Sequence, residues 1–267
     1  MNLEPGIHKL TFPEYLALDA VNASRLADFR RSPAACRLRM TEPDEPTRAM
    51  VLGTAVHAAL FESERFGDIF APYEHDGRTK EGKSERADMD ARGVIGLPMA
   101  DYRDALAMAQ SLYTHPRVRR LLETATGAEQ SAVWTEPRKA RLCKARRDLV
   151  GPGWIADLKT TSDLDRFSPW AVTDLGYYRQ AAWYAWGAEV LASPIEHFFF
   201  PVVANSAPFE SALFRLGEES LAAGRKEMDR LLAAYLRCED GGSWPRHVPG
   251  LLSADASGQR LKEIEET

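Results

Sequence analysis

Residues 144–161 read KARRDLVGPGWIADLKTT, and this stretch decides the predicted fold. A two-residue turn at Pro152-Gly153 joins two extended segments into an antiparallel hairpin. In that hairpin Asp148 lies directly across from Asp157, with Cβ atoms about 4.5–5.5 Å apart. Lys159 points to the same face, because side chains alternate along a strand. The hairpin therefore predicts two carboxylates and a lysine at one place.

Two carboxylates so close together repel each other, and the pKa of at least one rises unless a cation neutralises them. Oxygen ligands suit one or two Mg²⁺ ions, for which Mn²⁺ can substitute, and such ions keep open positions for phosphate oxygens. Lys159 beside a metal-bound water could orient or deprotonate that water and stabilise developing charge. The alternative is an ordinary cross-strand ion pair, because a register slip of one residue would spoil the alignment.

Composition narrows the class of protein. The chain has 267 residues, of which 45% are hydrophobic, and this suits one α/β domain with a substantial core. The net charge of −5 gives no global basic field of the kind that attracts nucleic acid. Three widely spaced cysteines show no zinc or disulfide pattern. Neither a secretory signal nor a membrane span is visible, so a cytoplasmic protein is expected.

Hydrophobic periodicity predicts a central mixed β-sheet flanked by α-helices, in a single domain over residues 1–267. Residues 1–46 are predicted to be irregular and packed on the core, with a possible short helix capped by Ser24 and ending near Ser32-Pro33. Residues 71–96 are predicted to be mostly loop. The predicted helices span residues 48–61, 97–122, 170–190 and 218–236. The predicted strands span residues 132–134, 141–150, 154–159, 195–203 and 209–216.

A second motif competes with the hairpin. Residues 77–84 read GRTKEGKS, which fits the G-x-x-x-x-G-K-[ST] pattern of a phosphate-binding P-loop and raises an NTPase alternative. A P-loop leaves a buried strand and opens a helix, whereas the flanking residues here are polar and predict neither. We therefore expect a loop that grips the DNA backbone or a terminal phosphate, through Arg78, Thr79, Lys80 and Lys83.

Six short segments, in order along most of the chain, carry a family resemblance. They are LGTAVH (52–57), RTKEGK (78–83), AEQS (128–131), KARRD (144–148), WIADLKTT (154–161) and QAAWY (180–184). Together they resemble the RecE type of phage recombination exonuclease, the exonuclease VIII family, within the PD-(D/E)xK nuclease superfamily. The resemblance implies a PD-(D/E)xK nuclease core. One departure is Arg147, which stands where the family has a proline before the first acid.

The resemblance also implies roles for individual residues. Asp148 and Asp157 become metal ligands, joined by His57 and by the backbone carbonyl of Leu158. Without the resemblance, His57 is an ordinary core histidine on the small-residue face of a helix. Lys159 becomes the catalytic lysine.

Two further sets of residues are assigned with alternatives open. Glu129 either completes the acidic site as a metal ligand or pairs with a neighbouring arginine. Gln180 and Tyr184 share a helix face at i, i+4 and could hold Lys159 or the DNA strand, or simply pack the helix. Thr160 and Thr161 could donate hydroxyls to a phosphate next to the scissile one.

The function implied is Mg²⁺-dependent, processive 5′-to-3′ digestion of linear double-stranded DNA from its ends. The product would be a 3′ single strand for an annealing partner protein, in a phage or prophage setting inside the bacterial host. A closed homo-oligomer, trimeric or tetrameric, is expected to place the basic stretch of residues 138–147 along a channel. A third class, an inert DNA-binding or assembly protein on a nuclease fold, is disfavoured because Asp148, Asp157 and Lys159 are all present.

Overall fold

The structure is a computed structural model, which describes residues 3–42, 44–75, 78–167 and 171–246. Its centre is a seven-stranded mixed sheet. The strands are β1 (Gly6–His8), β4 (Gly127–Thr135), β5 (Leu142–Gly151), β6 (Trp154–Ala156), β7 (Lys159–Thr161), β8 (His197–Ala204) and β9 (Ser211–Arg215). Their order in the sheet is β1-β4-β5-β6-β8-β7, with β9 beside β8. The predicted α/β class with a mixed central sheet is confirmed.

The hairpin at the centre of the sheet has the predicted register. Gly151 pairs with Trp154, so Pro152-Gly153 is the two-residue turn, and Gly153 has the left-handed φ of 74° that such a turn favours. β5 pairs antiparallel with both β4 and β6, and β6 and β7 each pair parallel with β8. β6 and β7 pair with β8 in the same register. They are therefore two parts of one strand, whose pairing with β8 is interrupted at Asp157 and Leu158.

Helices cover the sheet through two main apolar clusters. In the larger cluster, α10 (Tyr177–Val190) and α11 (Glu218–Gly241) pack on the sheet, with Trp134 and Trp183 fully buried against each other. In the second cluster, α4 (Arg48–Phe61) and α7 (Met99–Thr114) surround Leu158 and Val203. The helix predicted over residues 48–61 is confirmed. None of the helices in the described ranges combines the length and apolar character needed to cross a bilayer.

The prediction that residues 1–46 are irregular is wrong, although the short helix expected to end near Ser32-Pro33 is present and begins after Asn22 in place of Ser24. Between β1 and α4 lie α1 (Phe12–Ala17), α2 (Ala23–Arg31) and α3 (Pro33–Thr41). Each begins at a side-chain cap, from Thr11, Asn22 and Ser32 respectively. Each also buries only one or two side chains, so hydrophobic periodicity is too weak to reveal it, whereas the caps are visible in the sequence.

The prediction that residues 71–96 are mostly loop is also wrong. β2 (Phe70–Tyr73) and β3 (Ile95–Pro98) form a small parallel sheet, and α6 (Lys80–Arg92) connects them. This helix is polar and buries only Gly82 and Met89, so its sequence has almost no hydrophobic periodicity. Its two end signals are clear, since the Thr79 hydroxyl caps its start and Gly93, with a left-handed φ of 68°, ends it.

Breaks within the helices account for the remaining differences. The helix predicted over residues 97–122 is two helices, α7 and α8 (Pro116–Thr124), because Pro116 starts a new one. Gly176, at a φ of 75°, separates α9 (Val172–Asp174) from α10, and the predicted start at residue 170 lies outside the described residues. A short 3₁₀ turn (Ser63–Arg65) and α5 (Phe66–Ile69) follow α4.

Close packing of α11 on α10 depends on Gly224, and this generates a stability prediction. A Cβ at Gly224 would lie 2.5 Å from the backbone oxygen of Tyr178 and 2.9 Å from the Cβ of Ala182. We expect Gly224→Ala to lower the free energy of unfolding by about 1–3 kcal/mol, the usual cost of overpacking. The control is Gly241→Ala in the same helix, where no atom lies within 4 Å of the added Cβ. That substitution should change stability by less than about 1 kcal/mol, in the favourable direction. Urea denaturation compares the two, and a Gly224→Ala protein as stable as the wild type contradicts the packing argument.

Candidate functional site

Asp148 and Asp157 lie at the end of the hairpin, one step beyond its last pair, Leu149 with Ala156. Both are buried. The Leu158 backbone N–H donates to Asp148 Oδ2 at 2.8 Å, and the Asp157 N–H donates to the Phe199 carbonyl at 3.0 Å. The break in the strand at Leu158 thus frees a backbone donor, and that donor holds the carboxylate of Asp148.

Three side chains from three elements form a compact acidic group around His57. The Nδ1 atom of His57, on α4, lies 3.5 Å from Asp148 Oδ2 and 3.7 Å from Glu129 Oε1. One ligand atom from each of His57, Glu129 and Asp148 lies within 4.8 Å of the other two. The small-residue helix α4 approaches the sheet closely here, since a Cβ at Gly53 would lie 3.8 Å from Thr160 Oγ1.

Glu129 reaches this group through an unusual backbone. Its φ is 51°, and the β4–β5 ladder pairs Ala128 with Leu149 and Gln130 with Arg147 but leaves out Glu129 and Asp148. A left-handed non-glycine residue costs on the order of 1–3 kcal/mol and is typical of functional sites. The alternative in which Glu129 pairs with a neighbouring arginine is observed, and its role as a metal ligand stays a prediction. Its Oε1 faces His57, and its Oε2 accepts a 2.8 Å hydrogen bond from Arg146 Nε.

Lys159 belongs to a second network, held by α10. Its ammonium forms an ion pair with Asp157 and donates to Gln180 Oε1 at 3.0 Å. The Gln180 amide Nε2 donates to Asp157 Oδ1 and to the Tyr184 hydroxyl, each at 3.0 Å. The Lys159 Nζ atom lies over the Tyr177 ring, 4.6 Å from the ring centroid. Gln180 therefore fixes both the acid and the lysine.

The protein's own charges shift the pKa values of these groups. Burial opposes the charge of His57, but Asp148, Glu129 and Asp157 outweigh it and raise the His57 pKa to about 9. Burial and the two neighbouring acids raise the pKa of Asp148 to about 7, against the lowering effect of His57 and Lys159. The pKa of Glu129 is lowered, because His57 and Arg146 outweigh its burial. Lys159 has a raised pKa despite burial, because Asp157 faces it.

These donors fit a divalent cation. An imidazole nitrogen and carboxylate oxygens are suitable ligands, and the raised pKa of Asp148 shows that a positive charge is favourable at this place. His57, Glu129 and Asp148 are the residues that would hold such an ion. The carboxylate of Asp157 is bound to Lys159 and Gln180, outside the compact group. Leu158 contributes its N–H to Asp148, and no contact of its carbonyl with the group is seen in the described residues.

Several predicted DNA-binding residues lie away from this site. Lys80 and Lys83 are exposed on α6, which packs on the small β2–β3 sheet, and Arg78 and Thr79 immediately precede that helix. The expected loop over these residues is therefore largely a helix. Thr79 Oγ1 accepts the Gly82 N–H at 3.0 Å, so a backbone amide that a P-loop would offer to phosphate is already bonded.

The threonines and the tyrosine near Lys159 differ from expectation. Thr160 faces α4, and the Thr161 hydroxyl is engaged in a turn with the backbone of Asp163. Tyr184 is buried in the aromatic core, where burial raises its pKa well above 10, and its hydroxyl meets Gln180. It is placed to support Gln180 and not to contact a DNA strand.

Arg146 is a site residue that the sequence does not single out. It belongs to the basic stretch of residues 138–147, but its side chain is only 16% exposed and is bound to Glu129 and to the Leu10 carbonyl. Lys144 and Arg147 of the same stretch are buried as well. Strand alternation is the sequence signal for Arg146, because residues 146 and 148 are two apart and so point to the same face of the sheet. The expectation that the whole stretch lines a DNA channel is therefore wrong.

Solved structures of other proteins resemble this fold. A crystal structure of a candidate exonuclease from Eubacterium rectale superimposes with a TM-score of 0.64 over 95% of this chain and 98% of that one, at 16% identity. A structure of LHK-Exo in complex with dAMP covers 87% of this chain and 98% of that one, with 14% identity and a TM-score of 0.33. Among curated proteins no match is found. The first of these likenesses shows a shared fold.

The profile of one protein family matches residues 22–250, which include the acidic group, the lysine network and the small β2–β3 sheet. The chain therefore belongs to the family described as the PDDEXK-like domain of unknown function DUF3799.

Proposed function

We propose that this protein is a metal-dependent exodeoxyribonuclease that digests linear duplex DNA from its ends in the 5′-to-3′ direction. The observation that carries the proposal is the position of Lys159. Its ammonium is held by Asp157 and Gln180 beside the His57, Glu129 and Asp148 group. A PDDEXK-like fold makes DNA the natural substrate class, and the fold shared with the Eubacterium rectale protein supports this class.

The chain's own residues divide the chemistry between them. A bound Mg²⁺ would supply Lewis-acid polarisation of the phosphodiester and an activated water. Lys159 enters as an ammonium, because Asp157 raises its pKa. We therefore expect Lys159 to stabilise charge that develops on the phosphate, or to orient the attacking water, and not to accept a proton. The Gln180 amide holds both side chains in place, since it accepts a hydrogen bond from Lys159 and donates one to Asp157.

The finer biology follows the RecE resemblance. We infer a phage-type recombination role in which the 3′ strand passes to an annealing protein, and a closed homo-oligomer that keeps the enzyme on its substrate. A net charge of −5 gives a monomer little non-specific hold on DNA, so a ring would replace affinity with topology. The NTPase alternative is weakened because Thr79 occupies the Gly82 amide. The inert-protein alternative is weakened because Lys159 is ion-paired with Asp157 beside the His57, Glu129 and Asp148 group.

Removal of the catalytic lysine is the first test. We expect Lys159→Ala to lower Mg²⁺-dependent release of nucleotides from linear duplex DNA by at least about a hundredfold, the scale of losing a main charge-stabilising group. The matched control is Lys226→Ala, since Lys226 is an exposed lysine of α11, outside the basic stretch of residues 138–147. Circular dichroism checks that both variants fold. Equal activity in the two variants would contradict the assignment.

Substrate topology is the second test. Linear duplex DNA should be degraded with Mg²⁺, and closed-circular duplex of the same sequence should stay intact, because a true exonuclease needs an end. Nuclease-resistant linkages placed at the 5′ ends alone should block digestion, whereas the same linkages at the 3′ ends should not. The measurement is loss of the duplex on gels over time. Cleavage of the circle would show an endonuclease, and a block from the 3′ ends would show the opposite polarity.

Charge in the metal-free site gives the third test. The folded pKa of Asp148, about 7, lies above its usual value of 3.8, so its ionisation opposes folding. The wild type therefore loses stability as pH rises from about 4 to 7. Asp148→Asn lacks this loss. In EDTA the variant should gain melting temperature relative to the wild type as pH rises through that window, and the gain should continue to about pH 9, because Asp148 also raises the pKa of His57 to about 9 in the wild type.

Divalent metal should reverse this order, because it stabilises only a protein that binds it. Mn²⁺ or Mg²⁺ at pH 8 should raise the melting temperature of the wild type and leave Asp148→Asn unchanged. Differential scanning fluorimetry gives both measurements. A metal-induced rise of equal size in the variant would show that Asp148 is not a ligand.

A further inference from the structure

We propose that a second pocket, between α6, α7 and the small β2–β3 sheet, binds a nucleoside phosphate unit away from the metal-ligand group. The pocket has a volume of about 600 Å³. This volume is within the range of small-molecule sites. Nothing in the proposed cleavage chemistry uses it.

Positive charge marks the pocket as a site for an anion. Arg86 of α6 and Arg103 of α7 both line it. In the described part of the chain neither guanidinium is ion-paired with a carboxylate, in contrast to Arg48 near by, whose Nε donates to Asp101 at 2.7 Å. Guanidinium groups with unused donors match phosphate oxygens, often in a bidentate manner.

Two further side chains on the wall adjust this charge. His75 also lines the pocket, and its Nδ1 lies 2.7 Å from Glu85, which raises the His75 pKa and favours its charged form. Glu74 is the acidic member of the wall. With His75 paired to Glu85, two arginines against the one remaining carboxylate leave the pocket positive.

The remaining wall is suited to a nucleobase. Tyr73, Pro98 and Met99 supply apolar and aromatic surface, and the Arg86 guanidinium lies 5.1 Å from the centroid of the Tyr73 ring. An aromatic ring with an arginine beside it is a combination that holds an unstacked base and its phosphate in single-strand binding proteins. Phosphate selection and base stacking therefore occur in one pocket, which identifies the ligand class as a nucleoside phosphate.

The pocket is separate from the metal-ligand group. Arg48 and its partner Asp101 lie near the pocket, and Arg48 begins the helix that carries His57 nine residues later. At 1.5 Å per residue this is about 13 Å along α4. A free nucleotide and a single-stranded segment share the required chemistry, and the experiment distinguishes them.

Binding without metal tests the proposal independently of cleavage. In EDTA, deoxyadenosine monophosphate and deoxyadenosine are titrated by calorimetry, and a fluorescent oligothymidylate is titrated by anisotropy. We expect saturable binding of the monophosphate, the oligonucleotide or both, and at least about tenfold weaker binding of deoxyadenosine, because it lacks the charged acceptor. Binding of the monophosphate identifies a free nucleotide as a ligand, and binding of the oligonucleotide alone identifies a strand.

Substitutions locate the binding. Arg103→Gln and Arg86→Gln should each weaken it by at least about tenfold, the scale of one charge-assisted contact. Arg92→Gln is the control, because Arg92 is exposed at the end of the same helix α6 and pairs with Asp88. The proposal is overturned by the absence of saturable binding of both phosphorylated probes, by binding that survives both pocket substitutions, or by an equal loss in Arg92→Gln. Nuclease activity does not enter these outcomes, so a failed exonuclease assignment would leave them interpretable.

Discussion

Compensation of buried carboxylate charge is the constraint on which the rest of this structure depends. Asp148 and Asp157 are buried in the centre of a sheet, and Glu129 lies beside them. Unpaired charges in such a place are prohibitively costly, so each acid needs a cation or a hydrogen-bond donor at contact distance. The surrounding elements deliver them. His57 comes from α4, Lys159 follows the broken strand, and Arg146 comes from β5 itself. Formally, three cationic side chains face three carboxylates. A bound divalent cation would displace the proton of His57 and leave a positive excess of about one charge, which suits a phosphate.

The same constraint orders the N-terminal region. Arg146 donates to the Leu10 carbonyl while it holds Glu129, and the buried ammonium of Lys144 donates to the carbonyls of Tyr15 and Leu18 at 2.6 and 2.7 Å. Burial lowers the pKa of Lys144 to about 8, and these carbonyls, with the Tyr15 ring, stabilise its charged form. The strand that carries Asp148 therefore also anchors the segment before α2. The N-terminal helices are a support for the site and not an appendage.

Sequence reasoning succeeded where a short-range rule determines the geometry. The turn at Pro152-Gly153 fixes the hairpin register, and the register fixes the approach of Asp148 to Asp157. The i, i+4 spacing likewise placed Gln180 and Tyr184 in contact. The sequence does not predict contacts that are long-range: strand alternation places Arg146 and Asp148 on one face, but no local pattern shows that Arg146 meets Glu129 and the Leu10 carbonyl. Helix α6 was missed for a different reason, because a helix that buries two residues has end signals but almost no periodicity.

Interrupted strand pairing explains how a sheet can present such a group at all. The β4–β5 ladder omits Glu129 and Asp148, and the pairing of β6 and β7 with β8 omits Asp157 and Leu158. These unpaired residues lie next to one another on neighbouring strands, so backbone pairing is interrupted along one line across the sheet. Backbone groups released there must find other partners, and the Leu158 N–H finds the carboxylate of Asp148. An unbroken ladder would satisfy the backbone and leave the acids without that donor. The left-handed backbone of Glu129 is the conformational cost of this opening, and stabilisation of a bound cation is the benefit that would explain why the cost is retained.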